Sequence, residues 1–386
     1  MGRPAQGPHG ARRLRLLGGT AVAALLAAGA GSASAAQPRV DARAWLVQNP
    51  STGEVLASHD ARRRVAIASI TKLMTVLVAL EQVGENAVVT VDPRAATVGE
   101  STVALRPGER ISVRDLVAAS LVQSANDAAW ALAFHVGEGD AGRFVAAMNA
   151  TARRLGMRDT RFVRPDGLDT PGHVSSARDA VVLARAAMRE PLVRRLVRQQ
   201  LVVAAGRVLE TWNDLLGRFP GLIGVKTGHT AAAGWSQVAA VRRGRLVLYA
   251  AILGSPTREA RNAALARLLR FGLSRYRAVE AVPAGRVYGR AALPYGRPSL
   301  ALVARRPLTR LVRVDRPLVE RVVVPTAVDL PVRRGQRLGE VRIYHRGRLL
   351  GRRDLVAARS VPEPGLRARV GWYAGRTLDH LAGLFT

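Results

Sequence analysis

"GVKTGHT" (Gly224–Thr230) holds one of only two lysines in a chain of 386 residues. Of 59 basic side chains, all but this Lys226 and Lys72, in "SITK" (Ser69–Lys72), are arginine. A solvated surface cation can be either residue, so the two exceptions are informative. Arginine stays protonated at any accessible pH, whereas a desolvated lysine can lose its proton and act as a base, or serve as a compact point charge. The stretch also decides the architecture around it. "GLIGV" (Gly221–Val225) is an apolar approach that breaks at glycine, and "GWSQVAAVRRGRLVLYAAILG" (Gly234–Gly254) is two apolar runs around an Arg-Arg-Gly-Arg turn. Gly221–Gly254 therefore reads as neighbouring strands of one antiparallel sheet. "TREARNAALARLLRFGLSRY" (Thr257–Tyr276) then closes the domain as a helix.

Outward from this stretch, composition bounds the rest. A hydrophobic content of 48% predicts a folded chain with room for two domains. Residues 1–35 read as a secretory signal: basic "RRLRLL" (Arg12–Leu17), an apolar run Gly18–Ala30, then "ASA" (Ala33–Ala35). Cysteine is absent, which excludes disulfides, thiolate metal sites, a cysteine nucleophile and a lipoprotein anchor. Export without disulfides predicts a bacterial cell envelope, extracytoplasmic, either free or peripheral on the outer face of the plasma membrane. The formal charge is +31, and losing the signal, with four arginines and no acid, lowers it only to +27. Such a surface suits anionic wall polymers or phospholipid headgroups. Nucleic acid is not expected, because the arginines are scattered without interleaved aromatics.

Further upstream, "AWLVQNPSTGEVLAS" (Ala44–Ser58) carries a hairpin signal. "ASITKLMTVLVALEQ" (Ala68–Gln82) is apolar on nearly every face after its first turn, the mark of a buried helix. "VRDLVAASLVQSANDAAWALAFHVG" (Val113–Gly137) is a second such segment, interrupted by a polar cluster at Ser124–Asp127 that must be satisfied or used. Gly142–Gly156 and Ser176–Glu190 have helical periodicity, with the turn-rich "RPDGLDTPGH" (Arg164–His173) between them. The reading places a catalytic domain over 36–278 and a small β-rich domain over 279–365. An amphipathic tail follows over 366–386, with Val370, Tyr373, Ala374, Thr377, Leu378, Leu381 and Phe385 on one face. That tail is too short and polar to span a bilayer, and either lies in a headgroup region or packs on its own domain.

The chemistry concentrates at three places. Ser69 and Lys72, three apart at the head of a buried helix, share a face and fit a nucleophile and its base. Burial lowers a lysine pKa, and a second lysine nearby pushes the same way. Ser124 and Asn126 offer a hydroxyl and an amide inside an apolar run. Lys226, Thr227 and Gly228 put a cation, a hydroxyl and a close-approach glycine on a strand that can hold an extended peptide by edge pairing. No Ser-His-Asp set, metal spacing, phosphate loop or dinucleotide fingerprint competes, and no cofactor is called for.

In the order Ser-x-x-Lys, Ser-x-Asn, Lys-Thr-Gly these motifs resemble the set of penicillin-binding proteins and class A β-lactamases. With "NPSTGEVLASHDA", "LRPGERISVRDLVAASLVQSANDAA", "PDGLDTPGHVSSARDA" and "VKTGHTAAAGWSQVAA", the chain is similar to the low-molecular-mass D-alanyl-D-alanine carboxypeptidases over roughly Ala44–Phe271. The resemblance implies an α/β (α+β) β-lactamase/transpeptidase-like catalytic domain, an antiparallel sheet flanked by helices, with a smaller all-β C-terminal domain. It implies an acyl-enzyme on Ser69, Lys72 as proton acceptor and Ser124 as relay. Asn126 would bind substrate amide, Lys226 and Thr227 the terminal carboxylate, and the backbone N–H groups of Ser69 and His229 the oxyanion. Arg261 matches a family arginine near the carboxylate site. Peptidoglycan stem peptides are the implied substrates and β-lactams covalent inhibitors. A class A-like β-lactamase would need a loop glutamate, and Glu138, Glu190 and Glu210 all lack the expected Glu-x-x-Leu-Asn setting. A non-catalytic wall-binding protein would leave the intact serines and lysines without a use.

Overall fold

The computed structural model describes residues 22–26 and 37–382. The expected signal, 1–35, otherwise lies outside the described residues. One compact unit spans Ser34–Arg275; a second is built from Tyr276 onwards and takes in the strand Val22–Leu26.

The first unit is organised on a five-stranded antiparallel sheet. Its strands are β1 (Ala44–Asn49), β2 (Glu54–His59), β3 (Leu222–Thr230), β4 (Gly234–Arg243) and β5 (Leu246–Ser255), in the order β2-β1-β5-β4-β3. β1 and β2 form the hairpin at the front of the chain, and β4 and β5 turn through Gly244 and Arg245. A two-residue hairpin loop needs positive φ, which Gly244 supplies at 58°. Both faces are covered, so the central strands are nearly continuous apolar runs. Tyr249, Ala251 and Leu253 of β5 join the helical core, while Leu248, on the opposite face, meets Gly272 of the last helix of this unit.

Among the helices of that core are α1 (Lys72–Val83), α2 (Val113–Ala118), α3 (Asn126–Val136), α4 (Ala141–Arg154) and α5 (Ala177–Ala187), with the further short helices Pro93–Ala96 and Pro191–Leu196 beside them; α6 (Arg258–Ser274) covers the other face. Their starts follow side-chain chemistry. Ser112, Asp140, Ser176 and Thr257 each accept a backbone N–H at the heads of α2, α4, α5 and α6. α1 has no such cap. It is preceded by a 3-10 turn, Ala68–Thr71, and Ser69 lies on that turn rather than on the α-helix. Because 3-10 geometry eclipses residues i and i+3, the turn brings Ser69 over Lys72 more directly than an α-helical start.

The turn rests on the loop Arg164–His173. A Cβ at Gly167, φ +88°, would lie 2.1 Å from Ala68 O and 2.7 Å from Thr71 Oγ1. Thr71 Oγ1 is in turn 2.8 Å from His173 Nε2, whose Nδ1 accepts from Val163 N–H at 3.1 Å. Nδ1 is thereby the acceptor and Nε2–H the donor. Burial holds this imidazole neutral, its pKa lowered to about 4.

The second unit pairs six strands antiparallel in the order Val22–Leu26, Leu318–Val323, Arg337–His345, Arg348–Ala357, Leu300–Ala304, Val287–Ala291. Tyr276–Val282 and Leu308–Arg313 form a separate pair. Leu366–Ala382 is helical, and Trp372 packs edge-on to Tyr295 at 5.6 Å between ring centres. Leu366, Val370, Tyr373 and Leu378 are exposed along it. Phe385, expected on the same face, lies outside the described residues. No helix among the described residues is long and apolar enough to cross a membrane.

Gly172 shares the backbone of Gly167, φ +80°, but nothing lies within 4 Å of a Cβ there. Gly172→Ala is expected to cost about 1 kcal/mol of unfolding free energy through backbone alone. Gly167→Ala should cost at least about 2 kcal/mol more by overpacking. Urea unfolding of both variants checks this; equal losses would show that the loop does not support the turn.

Candidate active site

The three motifs meet in one cleft of about 250 Å³, lined in part by Ser69, Ser124, Asn126, Thr227, Gly228, His229 and Arg261. A wider depression of about 640 Å³ beside Pro38, Arg267 and Phe271 holds none of the motif residues. The chemistry therefore locates the site in the smaller space.

Lys72 is completely buried. Its Nζ donates to Ser69 Oγ at 2.8 Å, Asn126 Oδ1 at 2.7 Å and the Asp166 carbonyl at 2.9 Å, which uses all three ammonium protons. Desolvation lowers its pKa from 10.5 to about 8, against the opposing charges of Asp166 and Glu100. Ser69 itself is half-buried, so its oxygen meets both the lysine and the cleft.

The polar interruption of the second apolar segment has a structural reason. After α2 the chain widens into a π turn, Ala119–Gln123, and Ser124 adopts a left-handed conformation with φ 65°. This break precedes α3, whose first residue is Asn126. Lys226 Nζ donates to Ser124 Oγ at 2.9 Å and to Thr227 O at 3.1 Å. Asp127, equally buried, accepts the backbone N–H groups of Val103, Leu105 and Ala128 and so fixes the neighbouring loop. Two polar residues of the island line the cleft and the third is satisfied by backbone.

β3 is an edge strand, and its free edge lies against the Ser69 turn. Gly228 makes that approach possible: a Cβ there would lie 2.8 Å from Ile67 O and 3.0 Å from Ser69 N. Lys226 is 2% exposed and Thr227 7%. Burial, then the charges of Lys72 and Arg261, push the Lys226 pKa well below 10.5. His229 is exposed, and its ring stacks on Trp235 at 4.0 Å.

Arg261, near the start of α6, is 1% exposed. A solvated helix residue would not be, so the structure brings it to the cleft with the motif residues. Its guanidinium lies over Trp235 and donates to Asp214 Oδ2 at 2.9 Å and Asn262 Oδ1 at 2.7 Å. Burial lowers its pKa to about 10, and Arg258 pairs with the same Asp214.

Three supporting residues stand outside the three motifs, two of them, Asp166 and Asp169, in the turn-rich Arg164–His173 stretch. Asp166 binds Lys72 through its carbonyl, while its carboxylate takes Arg164 and Trp130 Nε1 at 2.8 Å each. Burial raises its pKa, but the Arg164 bond and the Lys72 charge outweigh that and leave it lowered. Asp169 accepts from Thr230 Oγ1 at 2.6 Å and Ala232 N–H at 2.9 Å, tying the same loop to the end of β3. Asp214 sets the guanidinium of Arg261. Asp166 acts on Lys72 through its backbone carbonyl, an atom that every residue has.

The arrangement is a hydroxyl beside a neutralisable amine, a second amine–hydroxyl pair across the cleft, and an open strand edge. Known proteins resemble the chain that carries it. Residues 31–257 match the family model described as D-alanyl-D-alanine carboxypeptidase. The chain is 32% identical over 365 residues to D-alanyl-D-alanine carboxypeptidase DacD of Salmonella typhimurium, covering 90% of this chain and 93% of that one. It is 36% identical over 219 residues to DacB2 of Mycobacterium tuberculosis, covering 55% and 75% respectively. Penicillin binding protein 5 from Haemophilus influenzae superposes with a TM-score of 0.61 at 26% identity, over 85% of this chain and 99% of its own. The Streptomyces K15 DD-transpeptidase gives 0.59 at 28% identity, over 62% and 99%. The expected β-lactamase/transpeptidase-like fold is the one shared. By its matched residues and its relatives, the chain belongs to the serine-type D-alanyl-D-alanine carboxypeptidase family of low-molecular-mass penicillin-binding proteins.

Proposed function

We propose that the carboxypeptidase reaction runs through an acyl-enzyme on Ser69. The observation that carries this reading is the 2.8 Å contact between a fully buried lysine amine and the half-buried Ser69 hydroxyl. Neutral Lys72 takes the hydroxyl proton as Ser69 Oγ attacks the carbonyl between two terminal D-alanines. The backbone N–H groups of Ser69 and His229 hold the oxyanion, a role worth about 3 kcal/mol per donor in acyl-transfer enzymes. Ser124 passes a proton to the departing D-alanine amine, and water then hydrolyses the ester. Asn126 holds the upstream amide, and the free edge of β3 pairs with the extended substrate.

Lys226, Thr227 and Arg261 receive the terminal carboxylate. Burial and like charge favour the neutral Lys226, and an arriving carboxylate favours the charged form. Binding and charging of Lys226 are thus coupled. A β-lactam acylates the same serine. A β-lactamase reading lacks its base: Glu138, Glu190 and Glu210 do not line the cleft. The natural substrate is the peptidoglycan stem peptide, met outside the plasma membrane of a bacterial envelope. The charge of +31 and the exposed Leu366, Val370, Tyr373 and Leu378 support contact with an anionic polymer or headgroup surface.

Intact-mass measurement after penicillin treatment should show one adduct on the wild type and none on Ser69→Ala, with D-alanine release from a D-Ala-D-Ala peptide lost in parallel. A persistent adduct on Ser69→Ala would overturn the assignment. Only about a tenth of Lys72 is neutral at pH 7 if its pKa is about 8. The acylation rate should therefore rise with pH through 7 and level off above about 8, read by stopped-flow penicillin binding. Lys72→Arg cannot deprotonate and should lose acylation by at least about a thousandfold. Lys226→Arg keeps a cation for the carboxylate and should retain part of the activity; equal losses would refute this division of roles.

A further inference from the structure

The cleft brings together groups of both signs. Lys226 feels the charges of Lys72 and Arg261. The segment Gly99–Ser101 is tied to the head of α3: Asn126 Nδ2 donates to Gly99 O at 3.0 Å, and Asn126 N–H to Ser101 O at 2.6 Å. Ser101 Oγ donates to Gln123 O at 3.0 Å. Glu100, held between these anchors, is the one carboxylate among the residues lining the cleft. Its φ of 65° is a left-handed conformation that side chains of its kind rarely adopt, so its direction is imposed by the anchored loop.

Glu81, Glu85, Glu109 and Glu138 each pair with an arginine. Glu100, in the same arginine-rich chain, is exposed and takes part in no hydrogen bond or ion pair among the described residues. Its field nonetheless reaches Lys72 and Arg164.

We infer that Glu100 selects acyl donors that carry a free side-chain ammonium on the residue preceding the D-alanyl-D-alanine pair. The inference rests on the carboxypeptidase reading, which puts the terminal carboxylate at Lys226 and Thr227 and the upstream chain at the Asn126 end. One extended residue advances about 3.5 Å, so the residue before the acylated D-alanine reaches the Gly99–Ser101 segment. A flexible aminoalkyl side chain there meets the carboxylate that no arginine has claimed. The substrate class is a peptide with a carboxylate at its terminus and an ammonium further upstream, matching a cleft lined by both Arg261 and Glu100.

The test compares kcat/KM for D-alanine release from Nα-acetyl-L-Lys-D-Ala-D-Ala and its Nα,Nε-diacetyl counterpart, using the full chain. The wild type should prefer the free ammonium by roughly fivefold, the upper end for a solvent-reached ion pair, and less so at high salt. Glu100→Gln should bring the ratio to about one and Glu100→Lys should invert it. Stoichiometric penicillin labelling of each variant checks that its site is folded. A wild-type ratio near one would overturn the inference. So would an unchanged ratio in Glu100→Gln with both peptides slowed together, which would place the effect of Glu100 on Lys72. D-Alanine release from neither peptide by the wild type would instead overturn the underlying carboxypeptidase reading.

Discussion

The structure of the first unit turns on one buried amine. Lys72 sits where an apolar helix meets the cleft, and its three protons go to three separate segments: the 3-10 turn, the head of α3 and the Arg164–His173 loop. A buried ammonium without such partners would be far too costly to keep. Even with them, lowering its pKa from 10.5 to about 8 corresponds to about 3 kcal/mol of bias against the charged form. The sign follows from linkage. Between pH 8 and 10.5 the unfolded chain binds this proton and the folded one does not, so the burden on stability is full below pH 8 and fades as pH rises toward 10.5. The same bias makes the amine a usable base near neutrality. Reactivity and lost stability are two readings of one desolvation.

The second lysine extends this constraint. Lys226, Lys72 and Arg261 crowd cationic charge into a small space, and each disfavors the charge of the next. Asp214 offsets part of it by holding Arg261 and Arg258 together. The cationic end is thus poised rather than saturated, and a carboxylate entering it recovers more electrostatic energy than it would from a solvated arginine, because the surroundings are already desolvated. An arginine-only surface could not do this. That is why the two lysines stand out in the composition.

Much of the plan was legible because it is local. The β4–β5 hairpin, the buried α1 and the polar island in the second apolar run are each set by side chains a few residues apart, and the three motifs carry their own spacing. What was not legible depends on backbone atoms and on distant partners. Ser69 on a 3-10 turn rather than an α-helix, the π turn before Ser124 and the left-handed Ser124 have no residue signature, since serine and alanine allow many conformations. The Arg164–His173 stretch reads as turns; only packing reveals that its carbonyls hold Lys72 and Thr75 and that its Gly167 lies under Ala68. Arg261 was picked out only by its resemblance to a family arginine; its burial is what distinguishes it physically from the other arginines of its helix.

The backbone around the cleft shows how such a site is kept in place. Ala68 (φ 48°), Glu100 (φ 65°) and Ser124 (φ 65°) are all left-handed without being glycine. Each costs on the order of 1 kcal/mol or more and persists only where neighbours over-determine it. Those neighbours can be named: Gly167 packs beneath Ala68, the Asn126 and Ser101 hydrogen bonds bracket Glu100, and Lys226 holds Ser124. Glycine at these positions would remove the strain, but at Glu100 and Ser124 also the side chains that line the cleft, and it would widen the ensemble of the unfolded chain. Keeping glutamate and serine there means the surrounding contacts do two jobs, stabilising the fold and fixing the direction of each of these two side chains. The rigidity of the site is therefore a property of the whole unit, transmitted through Lys72 and the Arg164–His173 loop, and no single motif carries it alone.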